Sequence, residues 1–409
     1  MRLFFIFISL LFCQHLMAQN EFQRCAAVEH RTSLHEQNPA KIGQQQARKD
    51  WVKNYIESQG NSVQNRAAIT IPVVVHVVYK TATENISDEV IFSQIDALNE
   101  DFSKNNIEIN NVPNEFQNSI ANVDIEFCLA KKDPDGNSTT GIVRKSTNLN
   151  QFSDQTNHIF HDNQGGSDAW DDTQYLNLWV CNLGSFLAGF ATFPNDADPG
   201  EDGIVINYIN FGRIGLDPPY HLGRTTTHEF GHFFGLKHVW GGGSATCDGD
   251  DGVADTPMTN TTYLGECPNG TQNSCNSSDM FMNFMYYTDD GCMAMFSEGQ
   301  KAVMLANLDG FRAGLTTSDA CNPVATIDRK LEESLEIFPN PAINFLYLQL
   351  AHPFVDNLPL QFFDNYGRLV LDTHFQNKID VTNFPKGIYF LKITTDQGIV
   401  TRKFVVSRF

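Results

Sequence analysis

The sequence predicts a mixed α/β domain with an irregular, cysteine-rich lower part, followed by a small all-β sandwich. Three observations predict it. Residues 71–79 (IPVVVHVVY) form a near-continuous β-branched run, as expected of a strand buried on both faces. Apolar residues then recur at helical spacing, and later strand-like runs lead into a helix that carries two histidines four apart. Beyond residue 334 the text changes to short strands and turns with no cysteine and no cluster of metal ligands.

Length and charge narrow the function. The chain has 409 residues, too many for one ordinary core. Forty-eight acidic against 28 basic residues give a net charge of −20, which disfavours nucleic acid or an anionic membrane surface as a partner. Met1-Arg2, the apolar run of residues 3–12 and Leu16-Met17-Ala18 before Gln19 make a secretory signal over residues 1–18. That run is shorter than the roughly 20 apolar residues a membrane span needs, and no later stretch is long enough, so no transmembrane anchor is expected. Export permits disulfides. Of nine cysteines, Cys13 leaves with the signal and Cys25 lies in a polar segment. Cys247, Cys267, Cys275 and Cys292 cluster in Gly- and Asn-rich loops, and Cys128, Cys181 and Cys321 have no evident pairing.

Residues 19–66 are polar and helix-compatible, and read as a removable pro-segment ending at Arg66, with a flexible tail as the alternative. Cys25 is a candidate to cap a metal through its thiolate and hold a zymogen closed. After residues 71–79, where His76 reads as a packed core histidine, Ser87 precedes Asp88 and Glu89 as a helix start. Ile91, Ile95, Leu98 and Phe102 continue that helix. Residues 125–130, 175–182 and 203–210 read as further strands. The last of these would be the edge of a cleft to which an extended peptide adds itself. The acidic loop 196–202 reads as solvated, with calcium as the alternative.

The chemistry converges on residues 228–238, HEFGHFFGLKH. His228 and His232 share one helix face, so both imidazoles reach one ion. Glu229 is positioned to act as a base on water at the metal rather than as a ligand. Gly235 suits the left-handed turn that ends a helix, and the returning chain delivers His238. Three histidines with an open position are a catalytic zinc set, and the stretch matches the metzincin signature H-E-x-x-H-x-x-G-x-x-H at every specified position. Met285 would supply a soft floor on the turn that follows, and Tyr287 a hydrogen bond to an oxyanion. In residues 247–257 (CDGDDGVADTP), oxygen donors are dense enough for Ca2+, with Asp251, Asp255 and Thr256 as candidate ligands.

On these residues, 70 to about 315 resemble the pappalysin family of metzincins in its secreted microbial branch. The resemblance implies a two-part catalytic domain with a horizontal cleft over residues 67–321, and structural calcium. It implies zinc on His228, His232 and His238, Glu229 as general base, and Tyr287 stabilising the transition state. It also implies Cys247–Cys275 and Cys267–Cys292 disulfides and an inhibitory pro-peptide. Microbial relatives that cleave beside arginine or lysine carry an acidic residue directly before the cysteine matching Cys292. Here that position is Gly291, with Asp290 one earlier, so no basic-residue preference is implied. After a linker over 322–334, residues 335–409 resemble the C-terminal sorting domain of the type IX secretion system. The likeness rests on Phe338-Pro339-Asn340-Pro341, Asn365-Tyr366-Gly367, Gly387-Ile388-Tyr389 and Lys403-Phe404-Val405-Val406. The chain is thus expected to be a zinc endopeptidase made as a zymogen and exported by a Gram-negative cell, either released or held at the outer-membrane surface. Two other classes compete. A silent adhesin that keeps metal for structure would have lost its base, yet Glu229 is present. A zinc amidohydrolase of non-peptide substrates would have no use for an edge strand beside the cleft.

Overall fold

The computed structural model describes residues 22–59, 68–323, 334–350, 358–395 and 398–407. The signal at 1–18, Arg66 and most of the linker at 322–334 lie outside them. Two helices open the described chain, α1 (Ala27–Gln37) and α2 (Ala40–Gln59). Next come β1 (Ile69–Tyr79), α3 (Asp88–Phe102), β2 (Ile125–Leu129), β3 (Ile142–Ser146), β4 (Leu176–Cys181), β5 (Gly189–Ala191), β6 (Gly203–Asn207) and α4 (Arg224–Phe233). Two short strands, β7 (Asn273–Ser274) and β8 (Ser277–Ser278), pair in the irregular part. Helices α5 (Glu298–Phe311) and α6 (Ala313–Thr317) follow it.

Strands β1 to β6 form one sheet with β1 at its heart, parallel to β2, β3 and β4. Alternation along β1 sends Val73, Val75 and Val77 to the face covered by α3 and α4, and Val78 to the other face, with Phe160 and Trp179. His76, on that second face, is fully buried, hydrogen-bonded to Ser167 Oγ and Asn177 Oδ1 and stacked on Trp179. It is a core histidine, as its apolar neighbours suggest.

The edge of the sheet corrects the sequence reading. Gly203–Asn207 is an interior strand, paired on one side with β4 and on the other with the antiparallel β5. β5 is the edge strand. At three residues, Gly-Phe-Ala, it is too short to show any alternation. The acidic loop is a second correction. Asp196 and Glu201 are buried, Glu201 accepts hydrogen bonds from Asn157 and His161, and Asp202 pairs with Arg312. Asp198 and Pro199 stay exposed, so the loop is solvated only in part.

Helix α3 braces α4 through polar ties. Thr227 Oγ1 donates to Asp101 Oδ2 at 2.6 Å, and Arg224 pairs with Asp101 and Glu108. Helix α5 starts with a capping box between Ser297 and Gln300. Three disulfides, Cys128–Cys321, Cys247–Cys275 and Cys267–Cys292, tie the loops, while Cys25 and Cys181 are free and buried. Helix α2 lies against α5: Trp51 Nε1 donates to Ala306 O at 2.9 Å and Tyr55 donates to Asp309 Oδ2 at 2.6 Å.

The C-terminal unit has its own core around Leu346, Leu360, Phe362, Leu391 and Phe404. Its strands are β9 (Leu335–Phe338), β10 (Phe345–Leu350), β11 (Pro359–Asp364), β12 (Leu369–His374), β13 (Lys378–Asp380), β14 (Gly387–Thr395) and β15 (Gly398–Val406). They form a three-stranded sheet, β13-β10-β9, and a four-stranded sheet, β12-β11-β14-β15. No helix among the described residues is long and apolar enough to cross a membrane.

Candidate metal centre and substrate cleft

Helix α4 delivers His228, Glu229 and His232 together, all fully buried. It stops where Gly235 adopts φ +95°, with the Gly235 N–H donating to His232 O at 2.8 Å and Leu236 N–H to Gly231 O at 2.9 Å. A Cβ at Gly235 would also come within 2.4 Å of the Asn307 amide. The turn returns His238, stacked on Trp240, to the same point. His228 Nδ1 donates to Phe284 O at 2.7 Å and His232 Nδ1 to Leu236 O at 2.8 Å. Their Nε2 lone pairs therefore face inward, and His232 Nε2 lies 3.1 Å from the Nε2 of both His228 and His238. Lone pairs converging so closely repel one another unless a cation lies between them.

Burial keeps these imidazoles neutral, as ligation requires. It pushes the His232 pKa down to about 3 and those of His228 and His238 well below the usual value. Cys25 Sγ completes the group, with all four ligand atoms within 4.8 Å of one another. Three imidazoles and one sulfur suit a tetrahedral, borderline-soft ion such as zinc.

Met285 lies beneath the helix: a Cβ on Gly231, the fourth position of the H-E-x-x-H stretch, would meet its Sδ at 2.3 Å, so a larger residue there would push the methionine from its place. Tyr287 OH is 3.0 Å from His238 Nε2. Burial raises its pKa well above the ordinary value, so the phenol keeps its proton. Glu229 is buried, and neither of its oxygens has a hydrogen bond of good geometry. Desolvation pushes its pKa up to about 8, against the opposing pull of Cys25 and Arg24.

Residues 23–26 lie in parallel beside residues 186–189, where the chain enters the edge strand. Gln23 N–H donates to Phe186 O at 2.6 Å, Ala188 N–H to Gln23 O at 3.1 Å and Ala26 N–H to Gly189 O at 3.0 Å. Arg24, absent from the sequence reading, donates from Nη2 to Asp290 Oδ1 at 2.7 Å and from Nη1 to Thr288 O. Its guanidinium also lies 4.6 Å above the Tyr220 ring. Asp290 Oδ2 accepts the N–H groups of Leu222 and Arg224 at the start of α4. An acid one residue from the expected position thus does face the cleft, whereas Gly291 carries no side chain to do so.

In the loop after His238, Thr256 Oγ1 lies within 2.9 Å of Asp251 Oδ1, Asp251 Oδ2 and Val253 O. Asp255 turns away to Ser297 and the Gly299 N–H at the start of α5, apart from its expected companions.

Residues 159–309 match the model of the pregnancy-associated plasma protein-A peptidase family, M43, and residues 336–407 match that of a secretion system C-terminal sorting domain. Mature mirolysin of Tannerella forsythia, solved with a cleaved peptide, is 44% identical, with a TM-score of 0.62, and the match covers 63% of this chain and all of that one. The chain belongs to the M43 pappalysin family. A promirolysin mutant from the same organism is 41% identical at a TM-score of 0.65, covering 72% of this chain and 97% of that one. An extracellular metalloprotease of Arthroderma gypseum is 33% identical over 254 residues, 60% of this chain and 74% of that relative. This pappalysin is a secreted, metal-dependent endopeptidase made in a pro-form, and its sorting domain directs it through the type IX system of a Gram-negative bacterium.

Proposed function

We propose that this pappalysin cleaves peptide bonds beside arginine or lysine, with zinc held by His228, His232 and His238. Zinc bound there would supply a Lewis acid that polarises the peptide carbonyl and acidifies water. Glu229, in a dry pocket beside those histidines, takes a proton from water and returns it to the leaving amine. Tyr287 donates its phenolic hydrogen to the developing oxyanion. A peptide would bind by adding to β5, the edge used by Gln23 and Ala26 in the pro-form.

The observation that carries the specificity is the seat of Arg24. A buried carboxylate, a backbone carbonyl and an aromatic face surround its guanidinium next to the metal centre. Arg24 and Cys25 together would account for latency, one filling the side-chain pocket and the other the open metal position. Residues 19–66 would be the removable pro-segment, 67–321 the catalytic domain and 335–409 the sorting domain. Calcium would be held by Asp251, Val253 O and Thr256, without Asp255.

The test is a peptide library digested by the activated enzyme, with a zinc chelator and Glu229→Gln as controls. Cleavage beside arginine and lysine that both controls abolish is expected. Cleavage indifferent to basic residues would remove Asp290 from the reading, and cleavage that survives chelation would remove the metal.

A further inference from the structure

Asp196 is a buried carboxylate that the catalytic domain does not itself satisfy. It lies just beyond β5, is 1% exposed, and neither of its oxygens has a hydrogen-bond partner. A carboxylate so placed needs cations facing it. Arg312, the catalytic-domain cation whose field reaches it, is already engaged by Asp202. The others come from the pro-segment. His35 Nε2 stands 3.4 Å from Asp196 Oδ1, and Arg31 and Arg48 are both held in its field.

The surroundings are built for a guanidinium. Arg31 lies 4.1 Å above the centroid of the buried Phe193 ring and Arg48 5.5 Å from it, while Arg48 Nη1 donates to Pro194 O at 3.0 Å. Arg31 Nη1 is itself buried without a partner. Aromatic face, carbonyl and carboxylate are the three groups that a planar cation uses together. Phe193 belongs to the cleft, because its ring is 5.2 Å from that of His232 and it clusters with Cys25 and Ala27. The turn is also held by the catalytic domain's own bonds, Asp196 N–H to Phe193 O at 3.1 Å and Thr192 N–H to Gly203 O at 3.0 Å.

We infer that Phe193, Pro194 and Asp196 form a second cation subsite, occupied by pro-segment arginines in the zymogen and by an arginine of the peptide substrate after activation. It is separate from the Asp290 pocket: Arg24 precedes Cys25 in the pro-segment, and Arg31 follows it on α1. The inference rests on the endopeptidase reading of the cleft, and its peptide probes on cleavage beside arginine.

The full chain, activated by removal of its pro-segment, would be given fluorogenic peptides sharing one arginine at the cleavage point. A second arginine, or its neutral isostere citrulline, is walked along each peptide one residue at a time. At one position arginine is expected to exceed citrulline in kcat/KM by about tenfold, the scale of one charged contact. Asp196→Asn should bring that ratio close to one, Asp196→Glu should restore part of it, and Phe193→Leu should lower it. A flat ratio at every position in the unsubstituted enzyme overturns the inference without recourse to any variant. So does a ratio that Asp196→Asn leaves intact, which would make Asp196 a latch for the zymogen alone. If no peptide is cut at all, the endopeptidase reading fails and takes the subsite with it.

Discussion

Arg24 Nη2 lies 2.7 Å from Asp290 Oδ1, with both side chains shut away from solvent. The other carboxylate oxygen, Oδ2, takes the Leu222 and Arg224 N–H groups, so the acid that holds Arg24 is tied to the helix carrying His228, Glu229 and His232. Replacing it leaves a buried guanidinium without its counter-ion. Asp290→Asn is expected to lower kcat/KM for arginine peptides about a hundredfold, as about 3 kcal/mol of lost buried pairing implies. Peptides with a neutral residue there should lose far less. Equal losses on both peptides would mean that Asp290 only supports the helix.

Cys25 is the sulfur of the four-atom metal group, and Ala27 N–H donates to it at 3.3 Å. Cys25→Ala should therefore open the metal position while leaving Arg24 in its pocket. The expected outcome is a pro-form that processes itself at least about tenfold faster, since loss of one ligand is worth more than 1.4 kcal/mol. Cobalt in place of zinc supplies an independent readout, because a sulfur-to-metal charge-transfer band should be present in the pro-form and absent from the variant. A variant as latent as its parent, with the band unchanged, would exclude Cys25 as a ligand.

Tyr287 makes a different kind of contribution. Its hydroxyl is 3.0 Å from His238 Nε2, and burial keeps it protonated and able to donate. Tyr287→Phe removes only that oxygen. Loss of one oxyanion donor costs about 10² to 10³ in kcat, with little change in KM or metal content. A rise in KM at constant kcat would assign Tyr287 to ground-state binding instead.

What the sequence disclosed follows from the range of each interaction. The strand Ile69–Tyr79 and the helix bearing His228 and His232 write their environment into consecutive residues, through β-branched density and a spacing of four. Gly235 and His238 were legible because a helix stop and a returning ligand are also local. The edge strand Gly189–Ala191 was not, because three residues hold no period and its identity depends on which strand it joins. Arg24 and Asp290 are 266 residues apart, and nothing near either one announces the other. The same holds for Asp196, whose acidic neighbours suggested water or calcium while its partners lie on α1 and α2. Asp255, in a run rich in acids, accepts from the Gly299 N–H at the start of α5, a partner 44 residues away that the run itself does not announce.

His76 offers a stability test away from the metal. Burial against Trp179 pushes its pKa down to about 4, despite its hydrogen bond to Asn177. Above its unfolded value of about 6.5 the imidazole is neutral in both states, and its contribution is complete. As the pH falls below that value, the unfolded chain takes up a proton and the folded protein does not, so stability drops until about pH 4. Below that the folded state is protonated too, and no more is lost. Urea unfolding of the full chain, carrying Glu229→Gln to prevent self-digestion, should therefore lose about 2 kcal/mol more between pH 7 and pH 4.5 than the same protein with His76→Gln. The metal-site histidines titrate equally in both proteins and cancel in the comparison. Identical pH dependence in the two would show that His76 takes a proton as readily in the fold as in the unfolded chain, which its burial on β1 argues against.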